Sequence, residues 1–260
     1  MSTLLVFDSG VGGLSIVDAI TESLPNVTIA YVSDNEAFPY GTKPEDELIE
    51  RVSRVLSTSQ SSINADAIVV ACNTASTVTL PILRQQFTIP IIGVVPAIKP
   101  AAAITSTKAI GLLATPGTIK REYTANLVDT YASDCQVTRV GCSELVQIAE
   151  QKLQGELSNI NQLASLTQAL NKPEIDTVVL ACTHFPLLKP ELMQALPNIK
   201  HWVDSGQAIA RRATTLLLNT DVGDIKNNIS YFTKDTNDIC GLHQALSQRA
   251  LDNVQFLAVD

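Results

Sequence analysis

Residues 66–74 read DAIVVACNT, and residues 176–184 read DTVVLACTH. The two stretches match at four positions with a constant offset of 110, which aligns Cys72 with Cys182. Each stretch is a short apolar, β-branched run, which is typical of a strand buried on both faces. Each ends in a cysteine followed by small polar residues, where a strand gives way to a helix. The duplication predicts two related α/β units, each with a cysteine at the carboxyl end of a strand, where open α/β sheets bind ligands.

Strands and helices alternate along the rest of the chain. Apolar runs predict strands at residues 4–7, 27–32, 68–71, 91–95, 109–114, 136–140, 177–181, 201–203, 229–233 and 254–259. Helical patterns separate them, including residues 119–131, 156–170 and 206–219 and a helix after Pro186. Such alternation is typical of βαβ units and parallel sheets. We therefore predict an α/β fold of two pseudo-symmetric lobes, each a mainly parallel sheet flanked by helices, with the active site in the cleft between them. The first lobe comprises residues 1–95 and 207–260, and the second comprises residues 96–206.

Composition excludes several classes of protein. A chain of 260 residues with a net charge of −8 and no basic stripe is not expected to bind nucleic acid. The first apolar run ends at Asp8, which argues against a secretory signal, and no run of about 18 apolar residues predicts a membrane segment. The five cysteines lack paired spacing, which favours a reducing, cytoplasmic location over a disulfide framework.

Cys72 and Cys182 are the first candidates for chemistry. A free cysteine is most often a small buried hydrophobic residue, but two in duplicated contexts at strand ends indicate a shared role. A thiol at a helix N-terminus has a lowered pKa, so we expect thiolate near neutral pH. Three further cysteines have no counterpart in the repeat and are predicted to be structural: Cys135, Cys142 and Cys240.

The residues that follow the two cysteines carry polar groups. Asn73 and Thr74 follow Cys72, and Thr183 and His184 follow Cys182. Hydroxyl, amide and backbone N–H groups where a helix begins suit a carboxylate, although helix capping alone is also compatible with them. His184 is expected to stabilise the Cys182 thiolate or to help move its proton.

The loop after the first strand reads DSGVGG and lacks the GxGxxG spacing of dinucleotide sites. Its glycines are expected to let the backbone approach a small ligand closely. Asp8 would raise the pKa of a neighbouring thiol, so we expect it to act as a proton partner or to bind a substrate ammonium group. Tyr40, between Pro39 and Gly41, is predicted to lie in a tight turn beside the cleft.

Six segments of the chain together form a specific set. They read FDSGVGGLS, PYGTK, ACNTAS, GVVPAIKPAA, ATPGTI and ACTHFPLL. In this order, over nearly the whole chain, they resemble the glutamate racemases of the aspartate/glutamate racemase family. The resemblance implies conversion of L-glutamate to D-glutamate for peptidoglycan precursors, without cofactor or metal, by a cytoplasmic homodimer.

The resemblance also implies roles for particular residues. It implies that Cys72 and Cys182 are an acid–base pair assisted by Asp8, His184 and Glu150. A thiolate on one face of the substrate and a thiol on the other would explain the duplication. The substrate site would comprise Asp8, Ser9, Pro39, Tyr40, Gly41, Asn73, Thr74, Thr118, Thr183 and His184.

The segment around Glu150 departs from the family pattern. Ser143 and Gln147 stand where the family usually has prolines, and Lys152 replaces a usual glycine. Three alternatives stay open at this point. One is racemisation of another acidic amino acid, aspartate, within the same family. The others are a cysteine hydrolase with His184 as its base and a metal site of Cys72, Cys182 and His184, which lacks a fourth ligand.

Overall fold

The computed structural model describes residues 2–217, 227–234 and 241–259. In this part of the chain, ten strands form two sheets. The strands are β1 (Thr3–Asp8), β2 (Thr28–Ser33), β3 (Ala67–Val70), β4 (Ile91–Gly93), β5 (Ala109–Ala114), β6 (Gln136–Gly141), β7 (Thr177–Ala181), β8 (His201–Val203), β9 (Ile229–Phe232) and β10 (Val254–Phe256).

Helices connect these strands. The α-helices are α1 (Leu14–Ser23), α2 (Glu45–Ile63), α3 (Asn73–Gln86), α4 (Ile98–Ile104), α5 (Pro116–Lys120), α6 (Glu122–Tyr131), α7 (Glu144–Leu153), α8 (Ile160–Leu166), α9 (Lys189–Ala195), α10 (Gly206–Leu217) and α11 (His243–Ser247). Short 3₁₀ turns cover Tyr40–Thr42, Gln168–Leu170 and Phe185–Leu188.

The two sheets share the order of four strands. The first sheet has the order β10-β9-β2-β1-β3-β4, and the second has the order β6-β5-β7-β8. The described strand pairs are parallel. The order β2-β1-β3-β4 therefore recurs as β6-β5-β7-β8, with β3 and β7, which precede the two cysteines, in equivalent places. The predicted fold of two parallel-sheet lobes is confirmed.

Each sheet lies between two layers of helices. Along β1, Leu4 and Val6 pack with residues of α1 and α10, whereas Leu5 and Phe7 pack with residues of α2 and α3. In the second sheet one face packs on α7, α8 and α9, and the other on α4 and α6. Successive side chains of a strand point to opposite faces of the sheet. Because helices cover both faces, the side chains on both must be apolar. This burial explains the uninterrupted apolar runs, and each buried Val, Leu or Ile contributes about 1.5–3 kcal/mol.

The chain passes between the sheets twice, after β4 and after β8. The Ser205 hydroxyl donates to the Val95 carbonyl at 2.7 Å and so joins the two passages. The predicted boundaries of the lobes, after residue 95 and after residue 206, stay a prediction. Within the described residues, no helix combines the length and apolar character needed to cross a membrane.

Several helix predictions were partly wrong. The helix expected over 119–131 is two helices, because Arg121 adopts an extended backbone with ψ 134° and its guanidinium reaches Glu45 on α2. The helix expected over 156–170 is α8 followed by a 3₁₀ turn. The helix predicted after Pro186 is confirmed as α9, which begins at Lys189 after a 3₁₀ turn. The end of the helix predicted at 206–219, and Cys240, lie outside the described residues.

The repeated aspartates, Asp66 and Asp176, precede β3 and β7 but have different surroundings. Asp176 is buried and accepts hydrogen bonds from the Ser106 N–H and from the hydroxyls of Thr105, Ser106 and Thr177, at 2.6–2.9 Å. Burial alone would raise the pKa of Asp176, but these bonds outweigh it and hold the pKa below its ordinary value. Asp66 is exposed and accepts one backbone bond, from Thr3 at 2.7 Å.

We expect Asp176→Ala to lower the free energy of unfolding by about 2–4 kcal/mol, because it leaves the buried hydroxyls of Thr105 and Thr177 without this acceptor and removes two further bonds from Ser106. The matched variant Asp66→Ala should cost less than about 1 kcal/mol, since only one exposed bond is lost. Urea unfolding of both variants measures the difference. Equal losses of stability would contradict the role assigned to the buried carboxylate.

Candidate active site

One narrow cavity lies where the two lobes meet. Both repeated cysteines line it, Cys72 from the first lobe and Cys182 from the second, and each is only 6% exposed. Cys72 follows β3 and caps the N-terminus of α3, whereas Cys182 follows β7. The carboxyl ends of two equivalent strands therefore bring both thiols to one cavity.

Cys72 has a buried, acidic environment. Its Sγ lies 3.6 Å from the Ser9 hydroxyl. Burial raises the pKa of the Cys72 thiol far above its ordinary value, and the negative charge of Asp8 raises it further. The Ala75 N–H in the first turn of α3 and the Ser9 hydroxyl lower the pKa by less. The prediction of a thiolate near neutral pH is therefore wrong for Cys72, because removal from water disfavours the thiolate more strongly than the helix N-terminus favours it.

Cys182 lies beside a chain of polar groups. Its Sγ is 3.7 Å from His184 Nδ1, and His184 Nε2 is 2.7 Å from Glu150 Oε1. Burial alone would lower the pKa of His184, but the contacts with Cys182 and Glu150 outweigh it and raise the pKa well above the ordinary value. A proton can thus be shared along a line from the thiol to a carboxylate.

Asp8 lies behind the cavity wall and is fully buried. One carboxylate oxygen accepts the N–H groups of Gly10 and Gly13 at 3.3 and 3.0 Å, and the other faces the Thr183 hydroxyl at 3.4 Å. Burial raises the pKa of Asp8, whereas the positive charge of His184 and the Gly13 N–H oppose this rise. The carboxylate therefore organises the DSGVGG loop and contacts the turn that follows Cys182.

The glycines of this loop approach protein groups, which differs from the predicted approach to a small ligand. A Cβ at Gly10 would lie 2.4 Å from Glu150 Oε1, and one at Gly12 would lie 2.3 Å from His184 Nδ1. Such separations are too short for any side chain. Glycine is required here because the loop of the first lobe packs directly on Glu150 and His184 of the second.

The remainder of the cavity is lined by hydroxyls, one amide and apolar side chains that include Phe38 and Val146. The lining hydroxyls of Thr74 and Thr115 lie within 3.0–3.3 Å of each other and of the Thr118 hydroxyl behind them. Asn73 is 3% exposed, and its Nδ2 has no acceptor within the described ranges. No lysine or arginine is found among the described residues of the lining. The cavity therefore offers neutral donors and the His184 imidazole to an anionic ligand.

Comparisons with known proteins show which family the chain resembles. The family model described as Asp/Glu/Hydantoin racemase matches residues 12–213. The chain is 48% identical over 259 residues to the glutamate racemase of Pectobacterium carotovorum, covering 98% of this chain and 91% of that protein. It is 53% identical over 223 residues to the glutamate racemase of Proteus mirabilis, covering 84% and 77%.

A solved structure agrees over the full length. The crystal structure of Escherichia coli glutamate racemase in complex with L-glutamate and the activator UDP-MurNAc-Ala matches with a TM-score of 0.94 and 46% identity, covering 100% of this chain and 99% of that chain. The chain belongs to the Asp/Glu/Hydantoin racemase family. The sequence resemblance is thus confirmed, and the relatives named above are glutamate racemases within this family.

Most site residues predicted for this racemase family member line the cavity. These are Ser9, Pro39, Tyr40, Gly41, Cys72, Asn73, Thr74, Cys182, Thr183 and His184. Asp8, Glu150 and Thr118 instead lie behind the lining and contact it through Thr183, His184 and Thr74. The Tyr40 hydroxyl donates to Asp34, so its ring forms the wall while its oxygen is bonded away from the cavity. The site roles of all these residues stay predictions.

Sequence reasoning did not name five lining residues: Phe38, Thr42, Thr115, Ser143 and Val146. Thr115 belongs to the ATPGTI motif, and this motif was the available signal. Ser143 and Val146 come from the segment that departs from the family pattern, and only the packing of α7 against the cleft brings them to the cavity. In the described part of the chain, no three His, Cys, Asp or Glu side chains form a group that could hold a metal ion.

We expect Glu150→Gln to lower the pKa of His184, because the variant loses a charge-assisted hydrogen bond. NMR titration of the His184 imidazole measures the change. Glu144→Gln, on the same helix but beside Cys142, is the matched control and should leave the titration unchanged.

The stability effect has a defined direction. A folded-state pKa raised above the unfolded value gives His184 a contribution that is complete below about pH 6.5 and lost as pH rises through the folded pKa. The stability difference between the wild type and Glu150→Gln should therefore shrink in alkaline solution. A constant difference, or an unmoved His184 titration, would show that Glu150 does not hold the charged imidazole.

Proposed function

We propose that this chain racemises glutamate without a cofactor, with Cys72 and Cys182 as the two acid–base groups. The observation that carries the proposal is that two thiols from equivalent strand ends of two lobes line one cavity. Inversion at a carbon needs one group to remove a proton from one face and another to deliver a proton to the opposite face. A pair of groups on two facing lobes meets this requirement, and the pair works in both directions by exchanging roles.

Each thiol has a different neighbour that can assist it. His184 Nδ1, at 3.7 Å, is placed to accept or return the Cys182 proton, and Glu150 stabilises the resulting imidazolium. The Cys72 Sγ lies 3.6 Å from the Ser9 hydroxyl, and the negative charge of Asp8 raises the pKa of Cys72. A substrate ammonium group near Asp8 would offset that charge and lower the pKa of Cys72. Substrate binding would thus prepare Cys72 for proton removal.

Neutral donors are proposed to bind the substrate carboxylates. Asn73 Nδ2 is buried without an acceptor in the described residues, and α3 begins at this residue, so its first N–H groups open towards the cavity. Donors fixed in advance stabilise the charge that develops on the α-carboxylate when the proton leaves. Hydroxyl, amide and backbone donors would add to the charged His184 imidazole of the lining in binding a dianion.

The alternatives are less well supported. A hydrolase would need one thiol and a base and would leave the repeated Cys72 without a role. Aspartate differs from glutamate in having a shorter side chain. Relatives of 46–53% identity are glutamate racemases, which favours glutamate as the substrate. We further propose that the enzyme acts in the cytoplasm as a homodimer and supplies D-glutamate for peptidoglycan precursors, as the family resemblance implies.

Chiral chromatography of L-glutamate incubated with pure, chelator-treated protein tests this proposal. We expect D-glutamate to form without added cofactor, and aspartate to react far more slowly. Activity that appears only after addition of pyridoxal phosphate or a metal ion, or a preference for aspartate, would contradict the proposal.

Cysteine variants test the two thiols separately. Cys72→Ala and Cys182→Ala should each lower kcat by about 10²–10⁴, the range expected for loss of a positioned acid or base. Cys135→Ala is the matched control, because this half-buried cysteine lies outside the cavity lining, and its kcat should stay within about twofold. Near-normal turnover by Cys72→Ala would refute the assignment of two bases.

A further inference from the structure

The turn after Cys182 contains a buried carbonyl without a local donor. In this turn the Cys182 carbonyl accepts the Phe185 N–H at 3.0 Å, and the His184 carbonyl accepts the Leu187 N–H at 3.2 Å. The corresponding donor for the Thr183 carbonyl would be residue 186, which is proline and has no N–H. Thr183 is only 3% exposed, so its carbonyl needs a partner from elsewhere.

Ser15 supplies that partner from the other lobe. Its hydroxyl lies 2.8 Å from the Thr183 carbonyl and 2.9 Å from the Gly12 carbonyl. A hydroxyl has one hydrogen to donate. The Gly12 carbonyl already accepts the Ser15 backbone N–H at 3.0 Å, so it does not depend on the hydroxyl. The Thr183 carbonyl does depend on it.

The position of Ser15 is well fixed. It is the second residue of α1, and its neighbours Leu14, Ile16 and Val17 are buried in the core of the first lobe. The Ser15 side chain therefore presents its hydroxyl from a rigid support. Ser15 itself is partly exposed, which leaves room for one additional methyl group.

The bonded peptide lies between the two functional side chains of the second lobe. Thr183 connects Cys182 to His184, so rotation of the Thr183 peptide would move both side chains. We propose that Ser15 is a positioning residue: its hydroxyl fixes the Thr183 carbonyl, and thereby the geometry of Cys182 and His184 relative to the first lobe. This inference rests on the proposed function for its kinetic consequence, but its structural consequence is independent.

Isosteric variants test this role. Ser15→Thr keeps the hydroxyl, whereas Ser15→Val has nearly the same shape without it, and Ser15→Ala removes it without added bulk. Thr21→Val is the control on the same helix, because the Thr21 hydroxyl bonds only to carbonyls of α1. The measurements are kcat and KM for glutamate, the NMR titration of His184, and urea unfolding.

We expect Ser15→Ala and Ser15→Val to lower kcat by about tenfold to a hundredfold, the cost of a small misplacement of a catalytic group. The pKa of His184 should fall in both, because its contacts with Cys182 and Glu150 require alignment. Ser15→Thr should restore both properties to within about twofold of wild type, and Thr21→Val should change neither.

The proposal is overturned if folded Ser15→Ala or Ser15→Val keeps the wild-type kcat and His184 titration. It is also overturned if Ser15→Thr is as impaired as Ser15→Val, since the hydroxyl would then not matter. Should the wild type not racemise glutamate, the proposed function fails, and the His184 titrations still decide whether Ser15 positions the turn.

Discussion

One carboxylate oxygen joins the two lobes at the cavity. Glu150 Oε1, on the second lobe, accepts the Val11 N–H of the first lobe at 2.9 Å and contacts His184 Nε2 at 2.7 Å. A partly buried carboxylate is stabilised by such partners, because a charge removed from water without them is costly. The absence of side chains at Gly10 and Gly12 follows from this contact. The DSGVGG loop is therefore shaped by Glu150 and His184, and its glycines are explained without a phosphate group.

The duplicated scaffold supplies equivalent positions but not equivalent environments. Cys72 caps the 14-residue helix α3 and has Ser9 and Asp8 nearby. Cys182 precedes a 3₁₀ turn and contacts His184. The reaction interconverts mirror images of equal free energy, yet the groups that assist each thiol differ. Shared topology sets where the thiols lie, and local neighbours set how readily each exchanges its proton.

The sequence predicted features that depend on local pattern. Buried parallel strands leave continuous apolar runs in the sequence, and both repeated cysteines follow such runs. The two sheets, and the position of Cys72 and Cys182 at one cavity, could therefore be predicted. Features that depend on contacts between lobes could not. The raised pKa of Cys72 could not be predicted, because it depends on how deeply the thiol is buried, and burial outweighs the effect of the helix N-terminus. The lining role of Val146 and the bond from Ser15 to Thr183 join residues that no local pattern relates.

The proposed two-base mechanism predicts a specific isotope pattern. L-glutamate with ordinary hydrogen at Cα is given to the enzyme in deuterated water. Only early turnover is analysed, by mass spectrometry and chiral chromatography. The thiol that delivers the proton carries deuterium from solvent, so new D-glutamate should be deuterated at Cα. Remaining L-glutamate should keep ordinary hydrogen at Cα, because return to substrate reuses the original proton. Substantial early D-glutamate that retains the substrate proton would show that a single base serves both faces and would contradict the assignment of Cys72 and Cys182.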